Sequence, residues 1–319
     1  MYKGKLSLWV VVVCVCFIIQ TAFNLIPTLF QEEDITMNFN SSVDTAGINF
    51  LNGKKVGDYN IIIDKNNPNI VVTDKDYNSE GYNVIKDYLY TPMVLYVRSS
   101  VLSNSKGFIL ANTANNEYTP YKFDLRVIID AMEAGKTWKD IGVSSKVAKG
   151  VVRLSIPNER SSYYKSVVDL FYLTLNDFNE PTSEDIERLE SRVSALLSKC
   201  DKVVDVGQEI RNEFEKPSTD YKVFIAPEFL FIRGGSEMTR NNYDAFIPVY
   251  FLDTTIHTMD MYYKVPVEGD KTDVVEDFMN YIKEEVKFVK RTGWRLDNVN
   301  FSMNDISSSL IDIVPGYNE

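Results

Sequence analysis

The chain has 319 residues, 45% hydrophobic and 25% charged, with a net charge of -11. Its 18 Phe and 19 Tyr supply enough apolar surface to exclude disorder throughout, and its acidity argues against nucleic-acid binding, which needs a basic face. One His and 3 Cys exclude a Cys/His zinc cluster and leave His257 as the sole candidate for a histidine-based triad.

Lys3 and Lys5 precede an unbroken apolar run from Leu8 to Ile19. Weaker apolar character continues through Phe23, Leu25 and Ile26 to Pro27. Cleavage after Ala22 would place Gln20 at the -3 position, where a small residue is preferred. Cys14 and Cys16 lack the small preceding residue of a lipoprotein signal. An uncleaved signal anchor is therefore favoured over a cleaved signal or a buried N-terminal helix. Residues 6–26 make roughly 31 Å of helix, enough to cross a bilayer core. The positive-inside rule keeps residues 1–5 in the cytoplasm and exports the body, residues 31–319. Lys3 and Lys5 are the only charges in the first 30 residues, so the rest carries a net charge of -13. Cys200 is the only cysteine in the body, which therefore forms no internal disulfide.

Further along, short runs rich in Val, Ile, Tyr and Phe predict strands at 35–39, 59–63, 69–73, 90–97, 107–111, 151–155, 221–225, 246–252 and 260–265. Asp124 caps a predicted helix carrying Leu125, Ile128, Ile129 and Met132 and stopped by Gly135. Residues 163–177 place Tyr164, Val167, Val168, Phe171 and Leu175 on one face. Thr182 opens a Thr-x-x-Asp capping box before a helix with Ile186, Leu189, Val193, Leu196 and Leu197. Thr272 opens a last helix, with Lys287, Lys290 and Arg291 at its end and Gly293 beyond. The alternation reads as α/β. Tyr90–Val97 and Phe246–Leu252 look buried on both faces. Side by side, they would join two lobes as a pair of crossing strands.

Six local pieces now align in order: Asn69–Thr73; Tyr90–Val97; Leu125–Val143 (LRVIIDAMEAGKTWKDIGV); Arg153–Ser162 (RLSIPNERSS); Val223–Leu230; and Ile247–Thr255. Over roughly residues 35–295 their order resembles the type 2 periplasmic (extracellular) solute-binding proteins. The resemblance implies a two-lobed α/β fold with two hinge strands, lobe 1 about 35–93 and 250–319, lobe 2 about 94–249. It implies a small-molecule solute held in the interlobe cleft and, as a partner, an ABC-transporter permease. The missing lipobox and the unmatched stretch 296–319 leave an alternative: a membrane-anchored sensory or interaction module without a transporter.

Ser161 and Ser162 stand at a predicted helix start, where hydroxyls, free backbone N–H groups and roughly half a positive charge make an anion or carboxylate site. Ser41 and Ser42 follow the first strand, and in the resembled fold that loop faces the cleft from the other lobe. Thr73 and Asp74 end a strand at the expected cleft edge. Tyr163 is placed to stack on a ligand, while Tyr164 belongs to the apolar stripe. Glu228, in the return passage, and Asp253, after the second crossing, complete the candidate set. Each has an ordinary alternative as a cap, loop, turn or solvated face. His257 has Asp253 and Asp260 nearby but no Gly-x-Ser-x-Gly elbow, and is read as incidental. The chain is thus expected not to be an enzyme and to need no cofactor or metal. Asp74–Glu80 misses the EF-hand spacing.

Overall fold

The computed structural model describes residues 33–295, apart from 40–48, 57–58, 65, 67, 75–76, 79, 99, 102–121, 147, 216–219, 232–245, 253–254, 265–271 and 285–291. Among the described residues no helix is long and apolar enough to cross a membrane, and the anchor expected at 6–26 lies outside them.

The strands are β1 (Glu33–Phe39), β2 (Lys55–Val56), β3 (Tyr59–Ile63), β4 (Ile70–Thr73), β5 (Asn83–Arg98), β6 (Lys122–Phe123), β7 (Leu154–Pro157), β8 (Asp201–Val203), β9 (Val223–Pro227), β10 (Phe246–Phe251) and β11 (Ile256–Tyr263). The α-helices are α1 (Leu125–Glu133), α2 (Tyr164–Leu175), α3 (Ser183–Lys199), α4 (Val206–Glu215) and α5 (Thr272–Glu284).

The sheet has two halves. In the first the order is β2-β3-β1-β4-β11-β5, with β1 parallel to both β3 and β4 and β11 antiparallel to β4 and β5. Thr36 and Asn69 tie β1 to the start of β4: the Asn69 side-chain oxygen accepts from the Thr36 N–H and hydroxyl at 3.1 and 2.7 Å. In the second half β10 and β9 flank β5, and β7 and β8 extend the sheet in parallel.

β5 belongs to both halves. Its 16 residues span about 53 Å at strand rise. Asn83–Pro92 pair with β11 and Val94–Arg98 with β10. β10 and β11 follow each other in sequence, so they form the second crossing, antiparallel to the first. Tyr88–Val97 are all buried, as befits a strand covered on both faces. Their alternation sorts two cores. Met93, Leu95 and Val97 face α1, α2 and α3 together with Trp138 and Phe171; Val94 and Tyr96 face Val206 and Ile210 of α4. A third core, under the first half, gathers Met37, Ile61, Val72, Leu89, Met259 and Met261 with Phe278 and Ile282 of α5.

The caps hold as expected. The Asp124 carboxylate accepts from the Arg126 N–H at 3.0 Å. Thr182 and Asp185 close their capping box from both sides. Several strands are displaced from their predicted positions. The strand expected at 90–97 begins at Asn83, because β11 gives its earlier residues a ladder partner. That expected at 151–155 runs Leu154–Pro157, because Val151 follows Gly150 (φ +85°) in a turn and bridges Thr137 instead. That expected at 260–265 begins at Ile256, where the ladder with Pro92 starts. That at 221–225 runs Val223–Pro227. The strand expected at 107–111, and the last helix beyond Glu284, lie outside the described residues.

Candidate functional site

The loop from β7 to α2 is built by local hydrogen bonds. The Asn158 side chain accepts from the Arg160 N–H at 3.1 Å, Ser161 N–H donates to the Asn158 carbonyl at 3.0 Å, and Tyr164 N–H to the Ser161 carbonyl at 3.1 Å. Ser161 therefore spends its backbone groups on the turn. Tyr163 precedes the helix without a side-chain cap. The N–H groups of Lys165 and Ser166, in the first turn, find no acceptor among the described residues, as helix geometry leads one to expect.

Opposite this helix start lie the end of β4 and the start of β11, both from the first half of the sheet. The Ser162 hydroxyl donates to the Asp74 carboxylate across the junction. His257 Nε2 lies 3.1 Å from the same carboxylate oxygen, and its Nδ1 lies 3.3 Å from Ser166 Oγ. Thr255 Oγ1 donates to the Ser166 carbonyl at 2.6 Å. An ionised carboxylate only accepts, so Nε2 carries the proton facing Asp74. In the neutral ring Nδ1 then accepts from the Ser166 hydroxyl. The Asp74 side chain is fully buried, and His257 and Ser166 are 7% and 8% exposed. Carboxylate, imidazole and hydroxyls from both halves thus meet in a nearly dry place.

Three aromatic rings border this cluster. Tyr163 meets His257 and Phe229 edge-on, with centroids 5.9 and 6.4 Å apart; Trp294 stacks on Phe229 at 5.2 Å and leans toward His257 at 5.8 Å. The Trp294 indole N–H is buried without a hydrogen-bond partner among the described residues. Trp294 is held by its neighbours in sequence. Gly293 adopts φ +76°, and a Cβ there would lie 2.5 Å from the Phe229 carbonyl oxygen, so only glycine fits. Arg295 exchanges backbone hydrogen bonds with Tyr90 at 2.9 and 3.0 Å, and its guanidinium grips Glu228 through two nitrogens at 2.9 and 2.8 Å. The Tyr250 hydroxyl also donates to Glu228. Close by, Tyr96 donates to the Pro227 carbonyl and accepts from the Phe231 N–H at 2.7 and 3.0 Å. Burial, with help from Glu228, pushes its hydroxyl well above the ordinary tyrosine range.

Of the residues singled out from sequence, Asp74, Ser162 and Tyr163 come together at the junction. Ser161 contributes turn geometry. Thr73 is buried within the sheet, in register with Asp260. Glu228 is fully buried, and its carboxylate is turned to Arg295 and Tyr250. Ser41, Ser42 and Asp253 lie outside the described residues. His257, read as incidental, is instead at the centre of the polar cluster. Ser166 and Trp294 were not singled out. Ser166 was within reach, since four residues after Ser162 lies the same helix face. Among the described residues no group of His, Cys, Asp and Glu is placed to hold a metal ion.

No protein-family model and no curated protein sequence matches the chain. Solved structures similar to it include maltose-bound MalE3 of T. maritima, at 9% identity over 88% of each chain with a TM-score of 0.49. A eukaryotic thiaminase-I bound to the thiamin analogue 3-deazathiamin aligns at 9% identity over 88% of this chain and 92% of its own, TM-score 0.46. L-phospholactate-bound PEB3 aligns at 11% identity over 82% of this chain and 99% of its own, TM-score 0.41. At these scores the likenesses say nothing of what this chain binds. They do correct one expectation: thiaminase-I is an enzyme, so the reading of this chain as non-catalytic is withdrawn. The type 2 solute-binding architecture implied by the sequence resemblance, two sheet halves joined by a pair of crossing strands, is the one observed.

Proposed function

We propose that this chain captures a small carboxylate-bearing solute at the junction of its two lobes, held outside the cytoplasm by a membrane anchor at residues 6–26. One observation carries the reading: Ser162, at the start of α2, already holds a carboxylate, that of Asp74, delivered from the opposite half. In the open form a solute carboxylate takes that hydroxyl and the first-turn N–H groups of Lys165 and Ser166, with the helix dipole behind them. Asp74 then faces the solute, and a second anionic charge beside it is unfavourable. At about 4 Å and an effective dielectric near 20, like charges repel by about 4 kcal/mol. A solute with an ammonium group beside its carboxylate, as in an amino acid, satisfies both sides at once. Tyr163 packs over it, and closure about β5 and β10–β11 adds the contacts that the open form lacks. The bound solute passes to a membrane permease.

The test is calorimetric titration of the detergent-solubilised full chain with amino acids and with the same acids lacking the amino group. Amino acids bind tighter to the wild type. Ser162→Ala weakens both series, and Asp74→Asn abolishes the preference for the amine. Binding of neutral sugars alone, indifferent to Ser162, would sink the proposal. Protease digestion of intact cells from outside checks the orientation: the body is cut and residues 1–5 are protected.

A further inference from the structure

We propose that Asp74, His257 and Ser166 form an acyl-transfer relay, assembled when the two halves close, that acts on small carboxylic esters. Nucleophilic activation needs a hydroxyl within reach of an imidazole nitrogen and a carboxylate on the other nitrogen. Here Ser166 Oγ lies 3.3 Å from His257 Nδ1, and Asp74 lies 3.1 Å from Nε2. The two nitrogens are used in the opposite sense to the serine-protease arrangement. The chemistry tolerates this, because it requires only that one nitrogen accept while the carboxylate fixes the tautomer. Geometry and roles define such a relay, not sequence order.

A second element lies beside the hydroxyl. Ser166 is the third residue of α2, so its own N–H and that of Lys165 belong to the first turn. Neither finds an acceptor among the described residues. Two backbone donors next to a nucleophile, with no acceptor among the described residues, are what a developing oxyanion needs. Burial completes the setting, since hydrogen bonds and charges act more strongly away from water. Ser166 comes from one half, and His257 and Asp74 from the other. The relay therefore exists only in the closed form, and a substrate enters while the halves are apart.

In the step, the Ser166 oxygen attacks the ester carbonyl carbon and a C–O bond forms. The hydroxyl proton passes to His257 Nδ1, and the carbonyl electron pair moves onto oxygen, facing the Lys165 and Ser166 N–H groups. Collapse breaks the bond to the alcohol oxygen, which leaves with the proton from His257. Water then attacks the acyl-serine by the same route, so ester and water give acid and alcohol, with nothing oxidised or reduced. The proposal rests on the junction admitting a small solute, but its test does not depend on the identity of that solute.

The native full chain is treated with a fluorophosphonate probe, and the labelled peptide is mapped by mass spectrometry. The expected result is a single phosphonylated serine, Ser166, lost on prior heat denaturation. His257→Gln slows labelling about 100-fold or more, the range of general-base catalysis, and Ser166→Ala abolishes it. Circular dichroism and solute titration of each variant separate loss of the relay from loss of fold. Absence of labelling at Ser166 in the native wild type overturns the proposal. So does labelling of Ser162 instead, or a Ser166 rate unchanged in folded His257→Gln. Solute binding without labelling would refute the relay alone and leave the binding reading standing.

Discussion

Arg295→Met tests the strap that seats Trp294 against the junction. The Glu228 side chain is fully buried, and two Arg295 nitrogens hold its oxygens at 2.9 and 2.8 Å. Methionine preserves most of the aliphatic stem and removes the charge. Tyr250 is then the only partner among those named that still donates to a carboxylate with no access to water. Removing one partner of a buried pair costs about 3–5 kcal/mol, mostly from the charge left behind. For a domain of this size that lowers the melting temperature by roughly 6–20 °C. The backbone bonds between Arg295 and Tyr90 survive the change, so the loss reports the side-chain pair. Glu228→Gln in the same chain removes the stranded charge and recovers at least half of the loss, because the remaining amide still pairs with Tyr250. Equilibrium denaturation of the single and double variants, followed by tryptophan fluorescence, measures both numbers. A single variant within 1 kcal/mol of wild type would refute the reasoning, as would a double variant less stable than the single; the threshold is set well under the expected loss.

Gly293→Ala combines backbone strain at φ +76° with a clash against Phe229, whereas Gly135→Ala has only the strain, with φ +65° and nothing within 4 Å of the new methyl. The strain costs about 1–2 kcal/mol in both, and the clash adds about 1–3 kcal/mol at Gly293 alone; equal losses in thermal melts would show that Gly293 is not packed as described. At Asp185, the Arg188 side chain first, then the Thr182 N–H and hydroxyl, draw the carboxyl down to about 2. A lowered folded-state value means stability that is complete above the ordinary carboxylate range and lost as pH falls from there toward 2. Asp185→Asn should flatten that acid slope, and melts between pH 5 and 2 with an unchanged slope would disprove the link. Burial raises the Cys200 thiol to about 12, so iodoacetamide at pH 8 should leave Cys200 unmodified in the native chain and alkylate it on unfolding, as peptide mapping will show.

What was legible in the sequence depended on how local its cause was. Asp124 and the Thr182–Asp185 pair act within one turn, and both caps are where the spacing placed them. The two crossing strands announced themselves by apolar runs too long for a half-exposed strand. β2, β6 and β8, at two or three residues each, are too short to show a period, and their pairing is decided by distant neighbours. Among the described side chains of α4, the large buried ones are Val206, Ile210 and the carboxylate-bearing Glu213, a stripe too thin to stand out. At the site, Ser162, Tyr163 and Asp74 were reached through their places at a helix start and a strand end. His257 carried a usable signal: it shares the period of Met259 and Met261, both buried in the core. Its lack of a familiar motif concealed that. Glu228 and Arg295 stand 67 residues apart, and no local pattern predicts such a pair.

The central claim is that a solute carboxylate replaces that of Asp74 at the start of α2. Denaturation of the wild type and Ser162→Ala, with and without amino acids and their des-amino counterparts, tests it most directly. A solute at 100 times its Kd should add about 2.7 kcal/mol to the stability of the wild type, and the same concentration should add clearly less to folded Ser162→Ala. Equal stabilisation of both proteins, or a response only to solutes without a carboxylate, would contradict the account.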